Sequence, residues 1–346
     1  MTRTSLALAV AVVGALVAGC AGSSRPATTT TSAPAPATSI AAPSATTSAR
    51  GWSTPIVAGG SNATLTVLTC TSPTFCVTID EGQNAYVFNG TTWGPGVRMD
   101  TLGNPNAISC PTATWCLATD LQGNAVTFNG SKWSAPVKAE TTNADLTSSS
   151  CPTTTFCMAV DFDGNAFTYN GSAWSGPTAI DVTAANAANT TSTPLSMLVS
   201  CPAATFCAAV DNTGNAMTYR SGTWSAPLAV DTSGKHQLTS LSCATATFCV
   251  AGDQLNGTYL VFNGSTWSAP KPVTSNGGAG FSKLSCPSPT FCMADADGYA
   301  TFDGTAWAAA PPGATSPPQM LGLACPTPKF CVAASAYGQT SLYRGT

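Results

Sequence analysis

The stretch SCPTTTFCMAVDFDGNAFTYNGSAWSGP, residues 150–177, decides how the rest of the chain is read, because near-copies of it recur along the sequence. It carries two cysteines with five residues between them, then D-x-x-G, N-G and a tryptophan. Aligned on the cysteines, the chain holds seven such pairs: Cys70/Cys76, Cys110/Cys116, Cys151/Cys157, Cys201/Cys207, Cys243/Cys249, Cys286/Cys292 and Cys325/Cys331. Successive first cysteines lie 40, 41, 50, 42, 43 and 39 residues apart. A repeat of about 42 residues built from short strands and turns is the signature of propeller blades.

Each copy resolves into four strands. An apolar-polar alternation such as LTSLSC ends at the first cysteine, a turn such as PSPT follows, and a second strand starts beside the second cysteine. D-x-x-G then forms a turn in which the aspartate bonds back to the backbone and glycine takes the permissive position. A third strand such as NAFTY runs to N-G, a strong hairpin signal, and a fourth begins at the tryptophan. The predicted fold class is therefore all-β: a seven-bladed β-propeller with four-stranded blades. The aromatic before the second cysteine (Phe75, Trp115, Phe156, Phe206, Phe248, Phe291, Phe330) and the tryptophan of the fourth strand recur once per blade, which marks them as blade-to-blade core.

The seventh copy stops short of a tryptophan strand, whereas GWSTPIVA, residues 51–58, precedes the first cysteine pair with no blade of its own. Laid end to end, YRGT and GWSTP reproduce the join seen elsewhere as FNGTTWGP. The N-terminal strand is expected to complete blade seven and close the ring, so the propeller spans residues 51–346.

Cysteines separated by five residues across a hairpin turn place their thiols on adjacent strands, within reach of a disulfide. Zinc would need four ligands, each hairpin offers two, and His236 is the one histidine of the chain. Seven local disulfides are expected, together with an oxidising compartment. The N-G-[ST] triplets at Asn89, Asn129, Asn170, Asn256 and Asn263 read as tight turns rather than glycosylation sites.

The N-terminus agrees with export. MTR followed by an apolar run to Gly19 is a signal peptide (residues 1–19), too short to span a bilayer as a stable helix. The stretch LVAGC, residues 16–20, looks like the lipobox of bacterial lipoproteins, in which cleavage leaves the cysteine thiol to carry diacylglycerol. Cys20 is also the one cysteine of 15 left over once the repeats are paired. Lipid attachment at Cys20 and a membrane partner are expected, followed by a Ser/Thr/Ala/Pro tether over residues 20–50 that buries too little apolar surface to fold. A net charge of −3 with 8% charged residues gives no footprint for nucleic acid.

The repeat SCP-x-x-x-FC-x-A-V-D-x-x-G-N-A-x-T-Y-N-G-x-x-W-S-x-P resembles the blades of secreted actinobacterial propeller lipoproteins of the sialidase-like, or BNR (Asp-box), repeat type. The Asp-box S-x-D-x-G-x-T-W itself is matched poorly. A sialidase site, which the resemblance would imply, needs three arginines around a carboxylate, a tyrosine with a glutamate, and an acid. Beyond the tether the chain has Arg98, Arg220 and Arg344, and its glutamates are Glu81 and Glu140. The inner strands carry Ser, Thr, Leu and Ala with one clear charge, Lys283.

No catalytic, cofactor or metal set is therefore read from the sequence. The remaining acids fall in register: Asp80, Asp120, Asp161, Asp211 and Asp253 at the second-to-third-strand turn, and Asp100, Glu140, Asp181 and Asp231 seven residues after a tryptophan. They read as turn formers and a solvated rim on the face that carries the blade connections, with calcium as the rival reading. The longest connection, residues 181–194, is the candidate binding loop, and His236 is an incidental surface residue. The expected function is a monomeric, membrane-anchored, extracytoplasmic binding module for an envelope glycan or protein, against the alternatives of a sialidase-like hydrolase or lyase and of a passive envelope component.

Overall fold

The computed structural model describes residues 51–345 apart from 61–62, 100–102, 142–144, 182–194, 233–236, 274–280 and 297. The described residues form seven antiparallel sheets in chain order, with no helix among them. Blade three shows the pattern: strands Leu146–Thr153, Phe156–Asp161, Asn165–Tyr169 and Trp174–Ala179 each pair with the next. First strands of neighbouring blades pack side by side around an axis, and that of blade seven, Gly322–Thr327, lies against that of blade one, Leu65–Ser72. The ring is closed.

The closing strand comes from the other end of the described chain. Gly51–Trp52 and Ile56–Val57 both pair antiparallel with Gln339–Arg344, the third strand of blade seven. Trp52 sits opposite Tyr343, as Trp174 sits opposite Tyr169 and Trp224 opposite Tyr219. Its side chain is 1% exposed and packs with Met293 and Tyr299 of blade six as well as Tyr343. The expected N-terminal closure is what the sheet contains.

A blade alone could not bury both its faces, and the core accordingly lies between blades. Met158, Val160 and Ile180 of blade three meet Met197, Val199 and Met217 of blade four; Val77, Ile79 and Met99 of blade one meet Cys116, Ala118 and Val126 of blade two. The aromatics link the layers. In five blades the second-cysteine neighbour reaches the third-strand aromatic of the next blade, as in Phe156 with Tyr219 at 5.9 Å, Phe206 with Phe262 at 5.8 Å and Phe330 with Phe88 at 6.4 Å. That aromatic in turn contacts the tryptophan of its own blade, at 5.2 Å for Phe88 with Trp93 and 5.5 Å for Tyr219 with Trp224. These rings are core, as the repeat implied.

The seven cysteine pairs are disulfide-bonded across the first-to-second-strand hairpin: Cys70–Cys76, Cys110–Cys116, Cys151–Cys157, Cys201–Cys207, Cys243–Cys249, Cys286–Cys292 and Cys325–Cys331, with Cα atoms 3.9–4.1 Å apart. The five-residue spacing predicts the partner but not the depth, and here the structure corrects the picture of a simple hairpin staple. The second cysteine of every pair (Cys76, Cys116, Cys157, Cys207, Cys249, Cys292 and Cys331) is fully buried. Each belongs to the core shared with the preceding blade: Cys76 clusters with Phe330, Cys157 with Leu117, Cys249 with Phe206, Cys292 with Val250 and Cys331 with Met293. The reason is the strand's alternation, which turns this position toward the neighbouring sheet, where a half-cystine packs as a small apolar group. These cysteines are structural; none is presented to a ligand.

A further device lies beside them. The backbone N–H of Cys151, Cys201, Cys243, Cys286 and Cys325 donates to the hydroxyl of Ser109, Ser150, Ser200, Ser242 and Ser285 respectively, at 2.9–3.0 Å. Each of these serines precedes the first cysteine of the previous blade, so the bond crosses from one blade to the next near the axis.

The third-to-fourth-strand turns follow their N-G signal. Asn89 Oδ1 accepts from the N–H groups of Thr91 and Thr92, and Gly90 holds φ 96° where a Cβ would press on Thr74. Four of the five N-G-[ST] triplets serve this turn. Asn256 instead belongs to the second-to-third-strand turn of blade five, where its amide donates to Asp253. In blade one the expected D-x-x-G is displaced by one residue, and Gln83, not Gly82, takes the positive φ of 65°.

Candidate functional site

Because each first strand is innermost, its side chains define what lies at the axis. A cavity of about 270 Å³ opens there, lined by residues 66–68, 106–108, 239–241, 282–284 and 321–323 with Ser148 and Leu198. These are positions two to four before the first cysteines, at the ends of the strands fed by the blade connections. The cavity thus occupies the connection end of the channel, and the disulfides and serine bonds occupy the other.

One register position lines the cavity from every blade. Three residues before the first cysteine stand Val67, Ala107, Ser148, Leu198, Ser240, Lys283 and Gly322. Lys283 is the charged member and, among the described residues, the one charged side chain in the lining. Burial pushes its ammonium pKa down, opposed by the charge of Asp295. Asp295 follows the second strand of blade six; its backbone N–H donates to the Lys283 carbonyl at 3.0 Å, and its carboxylate accepts from the Ser282 hydroxyl. One residue nearer the cysteines, Leu68, Ile108, Leu241, Leu284 and Leu323 make an aliphatic collar.

The cavity continues outward over blades one and two. Thr66, Val67 and Asn106 also line a second hollow of about 610 Å³ with Glu81, Asn104, Pro105 and Leu121. Glu81 in turn joins it to a third hollow of about 600 Å³ lined by Gly60, Ala63, Thr64, Asp80, Gly82, Asn84 and Tyr86. The Tyr86 hydroxyl donates to Asp80 at 2.8 Å, and burial followed by that carboxylate raises its pKa to about 12, so it stays protonated as a donor.

No family model matches the chain, and no curated protein does. Its likeness is to solved structures. YCF48 bound to D1 peptide is 11% identical with a TM-score of 0.65, covering 88% of this chain and 100% of that one. YCF48 from Cyanidioschyzon merolae is 13% identical with a TM-score of 0.64, covering 85% and 98%. U3-55K is 8% identical with a TM-score of 0.66, covering 84% and 98%. At these identities the shared property is the fold.

The acids expected on a solvated rim are buried. Asp80, Asp120, Asp161, Asp211 and Asp253 end their second strands at 4% exposure or less, and Glu140, Asp181 and Asp231 at 1% or less. They do form turns: Oδ1 of Asp80, Asp120, Asp161 and Asp211 accepts from the backbone N–H of Asn84, Asn124, Asn165 and Asn215 at 2.8–2.9 Å. The two registers also meet between blades. Asp181, from the end of blade three, shares a hydrogen bond with Asp211 of blade four, and Asp231 with Asp253 of blade five. Burial and then the Asp181 carboxyl raise the Asp211 pKa to about 6; burial and Asp231 raise Asp253. Asp211 therefore keeps its proton to a higher pH than a free aspartate does, and Asp253 shifts in the same direction. These carboxylates are structural ties at the connection end and lie outside the lining of the axial cavity, Asp80 alone of them facing the third hollow.

The three arginines do not converge. Arg98 donates to the Gly82 carbonyl at 2.8 Å, Arg220 donates to the Gly264 carbonyl at 2.6 Å and lies 5.0 Å from the Phe206 ring centre, and Arg344 lies 5.1 Å from that of Phe330. The first is at the connection end and the others at the cysteine end, so the arginine cluster that the sialidase resemblance implies is not assembled. Cys20, Asp100, His236 and all but Asp181 of the 181–194 connection lie outside the described residues. What the sequence missed is the burial and pairing of the acids. The signal was present in their register, five blades placing an aspartate at the same strand end, where Asp211 meets Asp181 and Asp253 meets Asp231 of the preceding blade.

Proposed function

We propose that the protein is a membrane-anchored, extracytoplasmic module that binds a peptide or protein segment at the connection end of its channel. The observation that carries this reading is the cavity itself: hydroxyls, an aliphatic collar and one lysine, with no carboxylate in the lining among the described residues. A hydrolase working on sugars needs two carboxyl groups facing one cleft. A cavity with apolar walls and a few placed polar groups instead suits capture. A propeller of the same fold bound to a peptide supports a ligand of that class, while the disulfides suit an oxidising compartment and the lipobox-like stretch ending at Cys20 suits a lipid anchor.

Two experiments test the two halves. The purified protein, immobilised and panned against a displayed library of random heptapeptides, is expected to enrich a consensus above bare resin; enrichment no greater than on resin contradicts the binding reading. Cys20→Ala is expected to release the protein from the membrane fraction or leave its precursor unprocessed. Unchanged partitioning with normal cleavage contradicts the anchor.

A further inference from the structure

We infer that the channel accepts a carboxylate carried by the peptide ligand and seats it on the Lys283 ammonium. This rests on the peptide-binding reading above and adds the chemistry of recognition to it. The repeat supplies seven versions of one position within one molecule. Six blades place hydrogen, a methyl, a hydroxymethyl or a branched aliphatic group there, so the strand and its packing do not require a charge. A lysine at that point is desolvated, and Asp295, whose carboxylate accepts from the Ser282 hydroxyl, offsets that only in part. A cation so placed attracts an anion more strongly than a surface lysine does, because little water screens it.

The surroundings favour an amino-acid carboxylate over a sugar acid. The collar that includes Leu68, Ile108, Leu241, Leu284 and Leu323 presents methyl groups to the methylenes of a glutamate or to the last side chain of a peptide. No aromatic ring lines the cavity among the described residues, so a sugar ring would find no platform to stack on. From the mouth, the hollows that share Glu81 give the rest of an extended segment a path across blades one and two.

The test uses hexapeptide mixtures with one fixed position, Glu or Gln, each with a free or an amidated C-terminus, measured by fluorescence anisotropy against the purified protein. A carboxylated oligosaccharide, oligogalacturonate, is run beside them. Mixtures bearing a carboxylate, at the fixed side chain or at the terminus, are expected to bind roughly ten- to a hundredfold more tightly than their amide counterparts. The Glu and free-terminus arms say which carboxylate it is. Lys283→Met is expected to abolish the preference while melting no lower than the wild type, and Lys283→Arg to keep it. Binding without a carboxylate preference, or a preference that survives in Lys283→Met, overturns the inference and leaves peptide binding standing. Absence of binding by every peptide mixture overturns both readings, and binding of oligogalacturonate alone overturns the ligand class. If Lys283→Met does not fold, the Glu and Gln mixtures on the wild type and Lys283→Arg decide the question.

Discussion

The two ends of each blade solve the same packing problem by different chemistry. At the cysteine end a disulfide closes the first hairpin, a serine hydroxyl reaches the next blade's backbone, and aromatic contacts run from blade to blade. At the connection end the ties are buried carboxylates, and the repeat departs from itself: Lys283 replaces small or aliphatic groups, Gln83 replaces glycine, and one connection runs from 181 to 194. Uniformity belongs to the end that holds the ring together. Departures from the repeat collect where the cavity opens, which is why the binding reading is placed there.

Substitutions can break this contrast, and the largest effect is expected at the cysteine end. Trp52→Ala empties a site that is 1% exposed and shared by blades six and seven, and should destabilise the protein by about 3–5 kcal/mol in urea unfolding. Deleting residues 51–58 should do more, since it also strips the closing strand from Gln339–Arg344 and leaves an open edge. Unfolding of either variant at the wild-type midpoint would mean the ring does not depend on its N-terminal strand.

The buried acids make an effect of the second size at the connection end, and it depends on pH. Asp211 titrates near 6 in the folded protein against 3.8 for an ordinary aspartate, so the fold binds a proton that the unfolded chain has lost. A group with a raised folded pKa contributes stability that is present below the unfolded value and disappears as pH rises through the folded one. The protein is expected to be more stable near pH 4 than at pH 7.5, by roughly 2–3 kcal/mol from this pair. Asp211→Asn, which keeps a neutral group against Asp181, should flatten the difference. A wild-type stability that rises from pH 4 to 7.5, unchanged in Asp211→Asn, would show that the pair carries no shared proton.

Smaller steps sharpen the contrast. Replacing Cys201 and Cys207 together by alanine releases a short loop, worth about 2 kcal/mol on the chain-entropy account, read in the same urea series. Ser200→Ala removes the hydroxyl that accepts from Cys243 N–H at 3.0 Å and leaves that donor poorly paired, an expected loss of about 1 kcal/mol. Glu81→Gln, on an exposed side chain at the connection end, should change stability by less than about 0.5 kcal/mol while altering what the groove captures. A melting point lowered more by Glu81→Gln than by Ser200→Ala would reverse the assignment of the two ends.

Most of the architecture was legible because the repeat states it seven times. The cysteine spacing gave the hairpin, the tryptophan gave the fourth strand, and the unmatched Trp52 gave the closure, since each requires a particular partner strand. The depth of the bridges was not legible: Cys76, Cys157, Cys249, Cys292 and Cys331 are core because a neighbouring blade covers them, which spacing within one blade does not state. The serine bonds were equally visible as a residue before Cys110, Cys151, Cys201, Cys243 and Cys286, yet a hydroxyl in an alternating strand looks like a solvent-facing position until the next blade is placed beside it. The acids misled for a related reason. D-x-x-G identifies a turn but not its exposure: Asp161 and Asp211 are both buried, and Asp211 meets Asp181 from the end of the preceding blade, a contact that spacing within one blade does not state. At the site, Lys283 stood out as a charge on an inner strand and the collar repeats one register position, but the hollows around Glu81 combine residues of blades one and two that no repeat spacing relates.

The central claim is that partners engage the connection end, and photo-crosslinking in intact cells tests it most directly. A photoreactive amino acid is placed singly at Glu81 or Gln122, which are exposed at the connection end, and at Thr91 or Ser131, which are exposed at the cysteine end. Irradiation should yield a discrete adduct from the first two positions and background from the others. Adducts from Thr91 and Ser131, with none from Glu81 or Gln122, would contradict the account.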